Sequence, residues 1–445
     1  MSTGTEARPQ APLPPPQPDG RWRGLRALVG RIHFYAGLFV GPFLLVAAVT
    51  GLLYTAAPQI ERWAHADALT APVTGPAQPV SAQVAAATAT QRGLPVTEIR
   101  PSPGPGATTR VSFDAGLPEG YFRTVFVDPS TATVRATLDT YGEWLPVRGT
   151  LDELHRSLML GDTGRIYTEL AASWLGVLAL SGLVLQLGRR VKARRALLPS
   201  RGGAPRARLR SWHGAVGVWA SAGFLFLAAT GLTWSQYAGG NVTAMREAFD
   251  WSTPSVAKAL PVAPGVAGPA TGDGPAVAVT AQRVLDAARG AGIDGPVEIV
   301  PRDPGKAWSV QQTVRSWPER QDSVAVAPGN GQVTDRLAFA DWPIAAKLAR
   351  WGVDAHMGIL FGVVNQLALA ALACGLIVLV VWGYRMWWLR RPHLPRSAAV
   401  TPSAASVALL GGVAVLAGLA VPLLGISLVA FLVLDGLLGL RRAPA

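Results

Sequence analysis

Four of the six histidines occupy matching positions in two halves of the chain. His33 lies at the start of a long apolar run and precedes Thr50, which is followed by glycine and leucine. His213 starts another apolar run and precedes Thr230 at the same spacing, again with glycine and leucine next. The repetition of a histidine, a spacing and a Thr-Gly-Leu triplet indicates a shared role for the two segments.

His155 and His356 form a second matched pair, each just before a further apolar run. A single histidine at a membrane surface is usually hydrogen-bonded among headgroups, but ionisable residues at membrane depth are rare and functional. Two imidazoles from different helices can supply both axial nitrogens of a low-spin haem, which exchanges one electron. The pattern favours two haems, with His33 and His213 as axial ligands of one iron and His155 and His356 of the other.

The composition argues against other metal chemistry. The single cysteine, Cys374, excludes an intrachain disulfide, and thiolate zinc and iron–sulfur sites need several cysteines. Metal transport would need carboxylates or thiols inside the apolar runs, and Asp162 and Glu169 are the nearest ones. Two histidines alone leave most metals under-coordinated.

The histidines depend on membrane-length helices for their positions. Half of the 445 residues are hydrophobic and 15% are charged. Four apolar runs exceed the ~20 residues that cross a hydrocarbon core of ~30 Å: about 34–56, 166–187, 214–237 and 357–384. Two shorter runs, about 404–420 and 423–440, flank Pro422 and predict a helical hairpin.

The basic residues predict the orientation of these helices. They are concentrated before the first run, in the loop after the second, after the fourth and at the end of the sixth. All these segments lie on one side if the spans alternate, and the positive-inside rule makes that side cytoplasmic. We therefore expect a multi-pass protein of the inner (cytoplasmic) membrane with both termini in the cytoplasm. The net charge of +13 is a topology signal, and nucleic acid is not an expected partner.

The two long outer loops resemble each other, so a span–loop–span unit occurs twice. Each loop predicts a short helix and alternating strand-like stretches, with hairpin turns at "VDPST" and "APGNG". The predicted fold is an α-helical integral membrane protein with four core transmembrane helices, a C-terminal hairpin and two extracytoplasmic α+β domains.

The predicted boundaries are a disordered cytoplasmic tail at 1–24, helix 1 at 25–57, the first outer domain at 58–150, helix 2 with its lead-in at 151–188, a basic cytoplasmic loop at 189–210, helix 3 at 211–237, the second outer domain at 238–345, helix 4 with its lead-in at 346–388, a cytoplasmic loop at 389–402 and the hairpin at 403–441.

A flat macrocycle between helices needs backbone without side chains and cations for its carboxylates. The candidate glycines, with small-residue helix packing as the alternative, are Gly37, Gly41, Gly214, Gly217, Gly358 and Gly362. The candidate cations, with interfacial snorkelling as the alternative, are Arg31 and Arg210 inside and Arg156, Arg165 and Arg350 outside. His65 and His393 have no repeat partner and are interpreted as surface residues.

Four segments together resemble the PepSY-associated transmembrane family, of the iron-regulated membrane protein type that includes ferric-siderophore reductases. They are "RIHFYAGLFVGPFLLVAAVTGLLY", "LHRSLMLGDTGRIYTELAASWLGVLALSGL", "SWHGAVGVWASAGFLFLAATGL" and "AHMGILFGVVNQLALAALACGLIVLVVWGY". The resemblance implies bound b-type haems, an outward-facing PepSY domain and delivery of electrons to extracytoplasmic ferric siderophores. It assigns the family's histidines to His33, His155, His213 and His356. The second outer domain has "VAP" where the first has the PepSY-like "VDP".

Two functions from different classes are compatible with these features. The first is a haem-dependent ferric-chelate reductase, which would draw on a separate cytoplasmic electron donor or on quinol because no G-x-G-x-x-G strand–turn–helix fingerprint is present. The predicted orientation places His33 and His213, the inner histidines, near the cytoplasmic face and His155 and His356, the outer histidines, near the opposite face. The candidate substrate-binding residues, in the segments leading to the outer histidines, are Trp144, Arg148, Trp342 and Lys347. The second is a membrane-anchored PepSY protein that binds or regulates peptidases without redox activity.

Overall fold

The computed structural model describes residues 20–187, 197–260, 265–317, 319–389 and 404–440. These residues form a bundle of long apolar helices and a separate antiparallel sheet of eight strands. His393, the predicted cytoplasmic loop around it and most of the predicted N-terminal tail lie outside the described residues.

The described helices alternate with the strands along the chain. They are α1 (Gly20–Phe39), α2 (Gly41–Thr55), α3 (Ala57–Ala64), α4 (Ala66–Leu69), α5 (Val80–Thr90), α6 (Pro146–Ser157), α7 (Gly161–Leu187), α8 (Pro205–Leu232), α9 (Ala238–Ala248), α10 (Gly274–Gly290), α11 (Ile344–His356), α12 (Val363–Trp388), α13 (Ala404–Ala420) and α14 (Pro422–Leu440).

Among these helices, α7, α8 and α12 are long and apolar enough to cross a membrane. α1 and α2 meet the same condition together, although they are bent by 59° at the break between them. Pro42, in the first turn of α2, lacks the amide hydrogen that a continuous helix would use. The chain is therefore a multi-pass membrane protein with three candidate spans, or four when the bent pair is one span. α13 and α14 are shorter apolar helices that meet at Pro422.

The spans pack around a common apolar core. α7 lies along α8 and α1, and α12 lies along α2 and α8. Leu28, Leu44 and Phe224 are buried in this core together with Trp174. α14 covers α7, where Trp174 Nε1 donates a hydrogen bond to Ser427 Oγ at 3.0 Å. Close packing and interhelical hydrogen bonds are what hold helices together in lipid, and here they hold α1, α7 and α8 around the inner histidines.

The outer loops contribute four strands each to one sheet. The strands are β1 (Val96–Arg100), β2 (Thr109–Phe113), β3 (Tyr121–Asp128), β4 (Thr133–Tyr141), β5 (Val297–Val300), β6 (Trp308–Gln312), β7 (Ser323–Val326) and β8 (Val333–Leu337). Their order in space is β4-β3-β2-β1-β5-β6-β7-β8. β1 and β5 pair antiparallel at Ile99 and Ile299, so the two repeats are joined edge to edge.

The two halves of the sheet share one core as well as one edge. α5 and α10 pack against each other and against the strands. Val84 of α5, Val284 of α10 and the strand residues Ile99, Ile299 and Trp308 are fully buried there. Because β1 and β5 cover each other's edge, neither presents unpaired backbone groups to another chain. The repeated loops thus form a single two-part α+β body.

Candidate functional site

His33 on α1 and His213 on α8 lie side by side inside the bundle. Their ring centroids are 6.3 Å apart, and the imidazole planes are nearly perpendicular, at 89°. Two imidazoles bound to opposite sides of one metal at about 2.0–2.1 Å each have centroids roughly 6–6.5 Å apart. The separation suits two axial ligands of one iron.

A cavity of about 600 Å³ lies between α1, α2, α7, α8 and α12, and both inner histidines line it. Sites for small molecules and cofactors usually enclose about 300–1,000 Å³, so the cavity has the size for a haem. Most of its wall is apolar. On the N-terminal side of the two histidines it is lined by three cations, Arg26, Arg206 and Arg210. Six glycines complete the wall: Gly37, Gly41, Gly182, Gly214, Gly217 and Gly383.

The glycines of the cavity wall have two distinct effects. A Cβ atom at Gly182 would lie 3.3 Å from His33 Cε1, so glycine lets α7 approach the imidazole closely. A Cβ at Gly217 would have no neighbour within 4 Å, so glycine there leaves the space beside α8 open. Gly358 and Gly362 lie in the turn between α11 and α12 instead, with φ of +71° and +59°. Glycine adopts these left-handed conformations without steric cost, which explains the residue type at both positions.

The two inner histidines differ in their hydrogen bonds. His33 Nδ1 lies 2.9 Å from Ser181 Oγ on α7. His213 Nδ1 is buried and has no hydrogen-bond partner among the described residues. One imidazole of the inner pair is therefore oriented by a side-chain hydroxyl, and the other has no side-chain partner among the described residues.

The outer histidines are held by the threonines of the two repeated triplets. His155 Nδ1 on α6 lies 2.9 Å from Thr50 Oγ1, and His356 Nδ1 on α11 lies 2.7 Å from Thr230 Oγ1. Burial, together with the neighbouring His155, lowers the pKa of His356 to about 4. Each of these imidazoles is thus fixed by a hydroxyl of another helix, and the lowered pKa leaves His356 neutral near pH 7. His65, between α3 and α4, is half-buried and apart from both pairs.

The predicted cations occupy different environments. Arg210 lines the cavity, whereas Arg31 forms an ion pair at 3.1 Å with Asp435 of α14. Arg156 pairs at 2.7 Å with Glu153 of its own helix. The remaining two predicted cations lie on different helices: Arg165 on α7 and Arg350 on α11, where Asp354 is 3.3 Å from Arg350.

The predicted substrate-binding residues fall into a buried and an accessible group. Trp342 is 5% exposed and packs on Phe339 with ring centroids 5.0 Å apart. Arg148 is 6% exposed, and its guanidinium lies 3.6 Å from the centroid of the Trp144 ring. Through these contacts, Trp342 and Arg148 stabilise the segments that lead to the outer histidines. Trp144 and Lys347 are only half-buried.

An ionic cluster lies at the junction of the two half-sheets. Arg100 of β1 contacts Glu98 of the same strand and donates to Glu298 of β5 at 2.6 Å. It also donates to Glu143 at 3.0 Å. One guanidinium therefore bridges the central strand pair and the segment that follows β4.

The same cluster reaches the helix that carries His356. Glu143 contacts Arg315, which donates two hydrogen bonds to Asp354 Oδ1 at 2.8 and 2.6 Å. Burial raises the pKa of Asp354, and the Arg315 and Arg350 cations oppose that shift. Because Asp354 is fully buried in the last turn of α11, this chain of ion pairs connects the sheet to the outer histidine.

The central strand pair should be sensitive to pH through Glu98. Burial raises the pKa of Glu98 to about 7, with Arg100 opposing the shift and Glu298 adding to it. The folded protein thus retains a proton that the unfolded chain loses near its ordinary pKa of 4.5. This contribution to the free energy of unfolding is present at low pH and is lost as pH rises through about 7. As pH rises from about 5 to 7.5, we expect the free energy of unfolding of Glu98→Gln to increase by about 1–3 kcal/mol relative to that of the unsubstituted protein.

Chemical unfolding in detergent at several pH values measures this difference. The matched control is Glu119→Gln, the same substitution on an exposed turn outside the ionic cluster. A difference between Glu98→Gln and the unsubstituted protein that stays constant over the same range would contradict the expectation.

The sequence alone did not single out Ser181, Arg26 or Arg206. Ser181 directly precedes Gly182, which the repeat matches with Gly383, so its position was a usable signal. Arg26 and Arg206 belong to basic segments that the sequence explains as topology signals. Only the packing of α1 and α8 on α7 shows that both arginines line one cavity.

The fold and the site define a multi-pass membrane protein in which His33 and His213 lie side by side, His155 and His356 each contact a threonine, and a separate two-part α+β sheet follows from the repeated loops. The family model described as the PepSY-associated TM region matches residues 31–390. The chain belongs to the PepSY-associated transmembrane family, and the family resemblance of the sequence is confirmed. A search of the curated proteins found no match.

Proposed function

We propose that this protein is a di-haem transmembrane oxidoreductase. It carries single electrons from the cytoplasmic side of the inner membrane to an extracytoplasmic acceptor, a ferric siderophore or another Fe(III) chelate, and so releases Fe(II) for uptake. A b-type haem with two axial imidazoles supplies one-electron chemistry with little rearrangement of its ligands. The observation that carries the proposal is the pair His33 and His213, 6.3 Å apart, on a cavity of about 600 Å³.

The inner residues have the properties that a haem site needs. His33 and His213 would be the axial ligands, and the apolar wall of the cavity would exclude water from them. Arg26, Arg206 and Arg210 are placed to pair with carboxylates, since they line the same cavity on one side of the ligands.

The outer residues would hold the second haem at the opposite end of the bundle. His33 lies in α1, near the N-terminal end of the bent span, whereas Thr50, which contacts His155, lies near its C-terminal end. The two histidine pairs are therefore separated along the span. The distribution of basic residues supports a cytoplasmic location for the inner pair and an outward location for the sheet.

The acceptor is proposed from coordination chemistry. Fe(III) binds hard oxygen ligands tightly, and reduction to Fe(II) weakens those bonds, so iron is released after one electron is transferred. Because the sequence lacks a dinucleotide-binding fingerprint, we propose a separate cytoplasmic donor or quinol as the source of electrons.

An absorption spectrum of the protein purified in detergent tests the proposal. We expect a Soret band and, after reduction with dithionite, the sharp α and β bands of low-spin haem. The control is the variant in which His33, His155, His213 and His356 are all alanine, which should show neither. A featureless spectrum from haem-supplemented cells would overturn the proposal.

A further inference from the structure

The two threonines that contact the outer histidines also contact backbone carbonyls of their own helices. Thr50 Oγ1 lies 2.9 Å from the carbonyl oxygen of Val46 and 3.1 Å from that of Ala47. Thr230 Oγ1 lies 2.7 Å from the carbonyl oxygen of Phe226. Each hydroxyl therefore has a backbone acceptor in addition to an imidazole nitrogen.

These backbone contacts favour one direction for each threonine–histidine hydrogen bond. A hydroxyl has one hydrogen to donate, and a carbonyl oxygen can only accept. With its hydrogen on the carbonyl, each threonine oxygen presents a lone pair to the histidine. Nδ1 of His155 and of His356 is then the donor, and a neutral imidazole protonated at Nδ1 carries its free lone pair on Nε2.

The glycine after each threonine belongs to the same arrangement. A Cβ atom at Gly51 would lie 3.2 Å from His155 Cε1, and one at Gly231 would lie 3.5 Å from His356 Cε1. The glycine leaves room for the imidazole, and the threonine beside it binds Nδ1. This explains why the Thr-Gly pair recurs at the same distance from the inner histidine in both halves.

We propose that Thr50 and Thr230 are positioning residues that fix the tautomer and the orientation of His155 and His356, so that both present Nε2 to the outer metal group. The inference deepens the proposed function and rests on it. Partners that accept a hydrogen bond from a metal-bound imidazole fix its orientation and raise its basicity. A more basic imidazole stabilises the ferric state, so loss of either hydroxyl should raise the midpoint potential of the outer centre.

The inner pair differs in the number of such partners. Ser181 Oγ lies 2.9 Å from His33 Nδ1 and 3.2 Å from the carbonyl oxygen of Leu178, which is the same arrangement. Since Gly383 matches Gly182, the residue matching Ser181 is Trp382, whose side chain has no oxygen to accept a hydrogen bond from His213. The outer pair thus has a hydroxyl on each ligand and the inner pair on one, so the substitutions should act on one centre only.

The test substitutes valine for each threonine, which keeps the shape of the side chain and removes the acceptor. Thr50→Val and Thr230→Val should each increase the rate of haem loss from one of the two centres about 10-fold or more, and should raise the potential of that centre. Serine at the same positions should restore both values. The matched control is Thr55→Val, because among the described residues the Thr55 hydroxyl bonds to the carbonyl oxygen of Leu52, at 2.7 Å, and to no histidine.

A second measurement separates this inference from the proposed function. Nitrogen-15 NMR of histidine-labelled, haem-free protein reports the tautomer directly, with His155 assigned by the signal lost in His155→Gln. We expect the Nδ1-protonated form in the unsubstituted protein and a mixture of tautomers in Thr50→Val. Protein that never binds haem would contradict the proposed function while this spectrum still decides the role of Thr50. An unchanged tautomer, with potential and haem loss equal to those of Thr55→Val, would overturn the inference.

Discussion

Alanine at His213 is expected to halve the haem content, from about two haems per chain to about one, because a haem held by one protein imidazole instead of two would bind far more weakly and be lost during purification. His213 is placed to be one of the two inner ligands, 6.3 Å from His33, so His33→Ala should give the same loss. The remaining haem should keep the spectrum of a bis-imidazole centre. Haem extracted into alkaline pyridine, divided by protein concentration, measures the change.

Two kinds of control make this result specific. His65→Ala removes a half-buried histidine that lies apart from both pairs, and it should leave about two haems bound. Gly217→Leu leaves all four histidines in place but fills part of the inner cavity, since a side chain there would enter open space. It should therefore also remove one haem. Gly375→Leu is the matched control for Gly217→Leu, because this glycine of α12 also has open space beside it but does not line the cavity.

The pattern of losses distinguishes the assignments. Full haem content in His33→Ala and in His213→Ala would show that neither residue is a ligand. Loss of both haems in each single variant, with normal folding, would show that the two sites are not independent. Retention of two haems by Gly217→Leu would contradict the assignment of the cavity to the inner haem.

The repeat in the sequence identifies many residues of the candidate site but does not show the contacts between them. The pairing of His33 with His213 follows from two equivalent helices that start on the same side of the membrane, which hydrophobic run lengths and basic residues predict. The sequence shows that the spacing from His33 to Thr50 is repeated, but it does not show which residue Thr50 contacts. Thr50 contacts His155 only because α2 packs on α6, and such contacts between distant segments are not encoded in local periodicity.

Other features depend wholly on tertiary packing. β1 and β5 pair across the two repeats at Ile99 and Ile299, so two predicted domains form one sheet. The sequence of a strand does not identify the strand that will pair with its edge. It shows only whether charges or prolines that protect an exposed edge are absent. Arg31 pairs with Asp435, far along the chain, although its place beside His33 suggested a contact with a haem carboxylate.

The direction of electron transfer can be tested with reduced protein and metal chelates. We expect dithionite-reduced protein to be reoxidised by ferric siderophores without oxygen, with Fe(II) appearing as its ferrozine complex. The gallium(III) complex of the same siderophore is the matched control, since it has the same charge and similar size but does not accept an electron. Reoxidation at equal rates with the iron and gallium complexes would overturn the reductase proposal and leave the two-haem architecture intact.

The charge of Lys347 allows the approach of the chelate to be tested at a single residue. Lys347 is half-buried on α11, the helix that ends at His356, and its Nζ lies 2.7 Å from the carbonyl oxygen of Ala340. A cation on the helix that leads to His356 should raise the local concentration of anionic chelates, so Lys347→Glu should slow reoxidation several-fold at low ionic strength. The effect should shrink toward 1 M salt, where the screening length is about 3 Å, and the haem spectrum should not change. Lys306→Glu reverses the charge of an exposed lysine in the loop before β6 and is the matched control. Equal slowing by both variants would show that the chelate responds to the net charge of the protein and does not approach along α11.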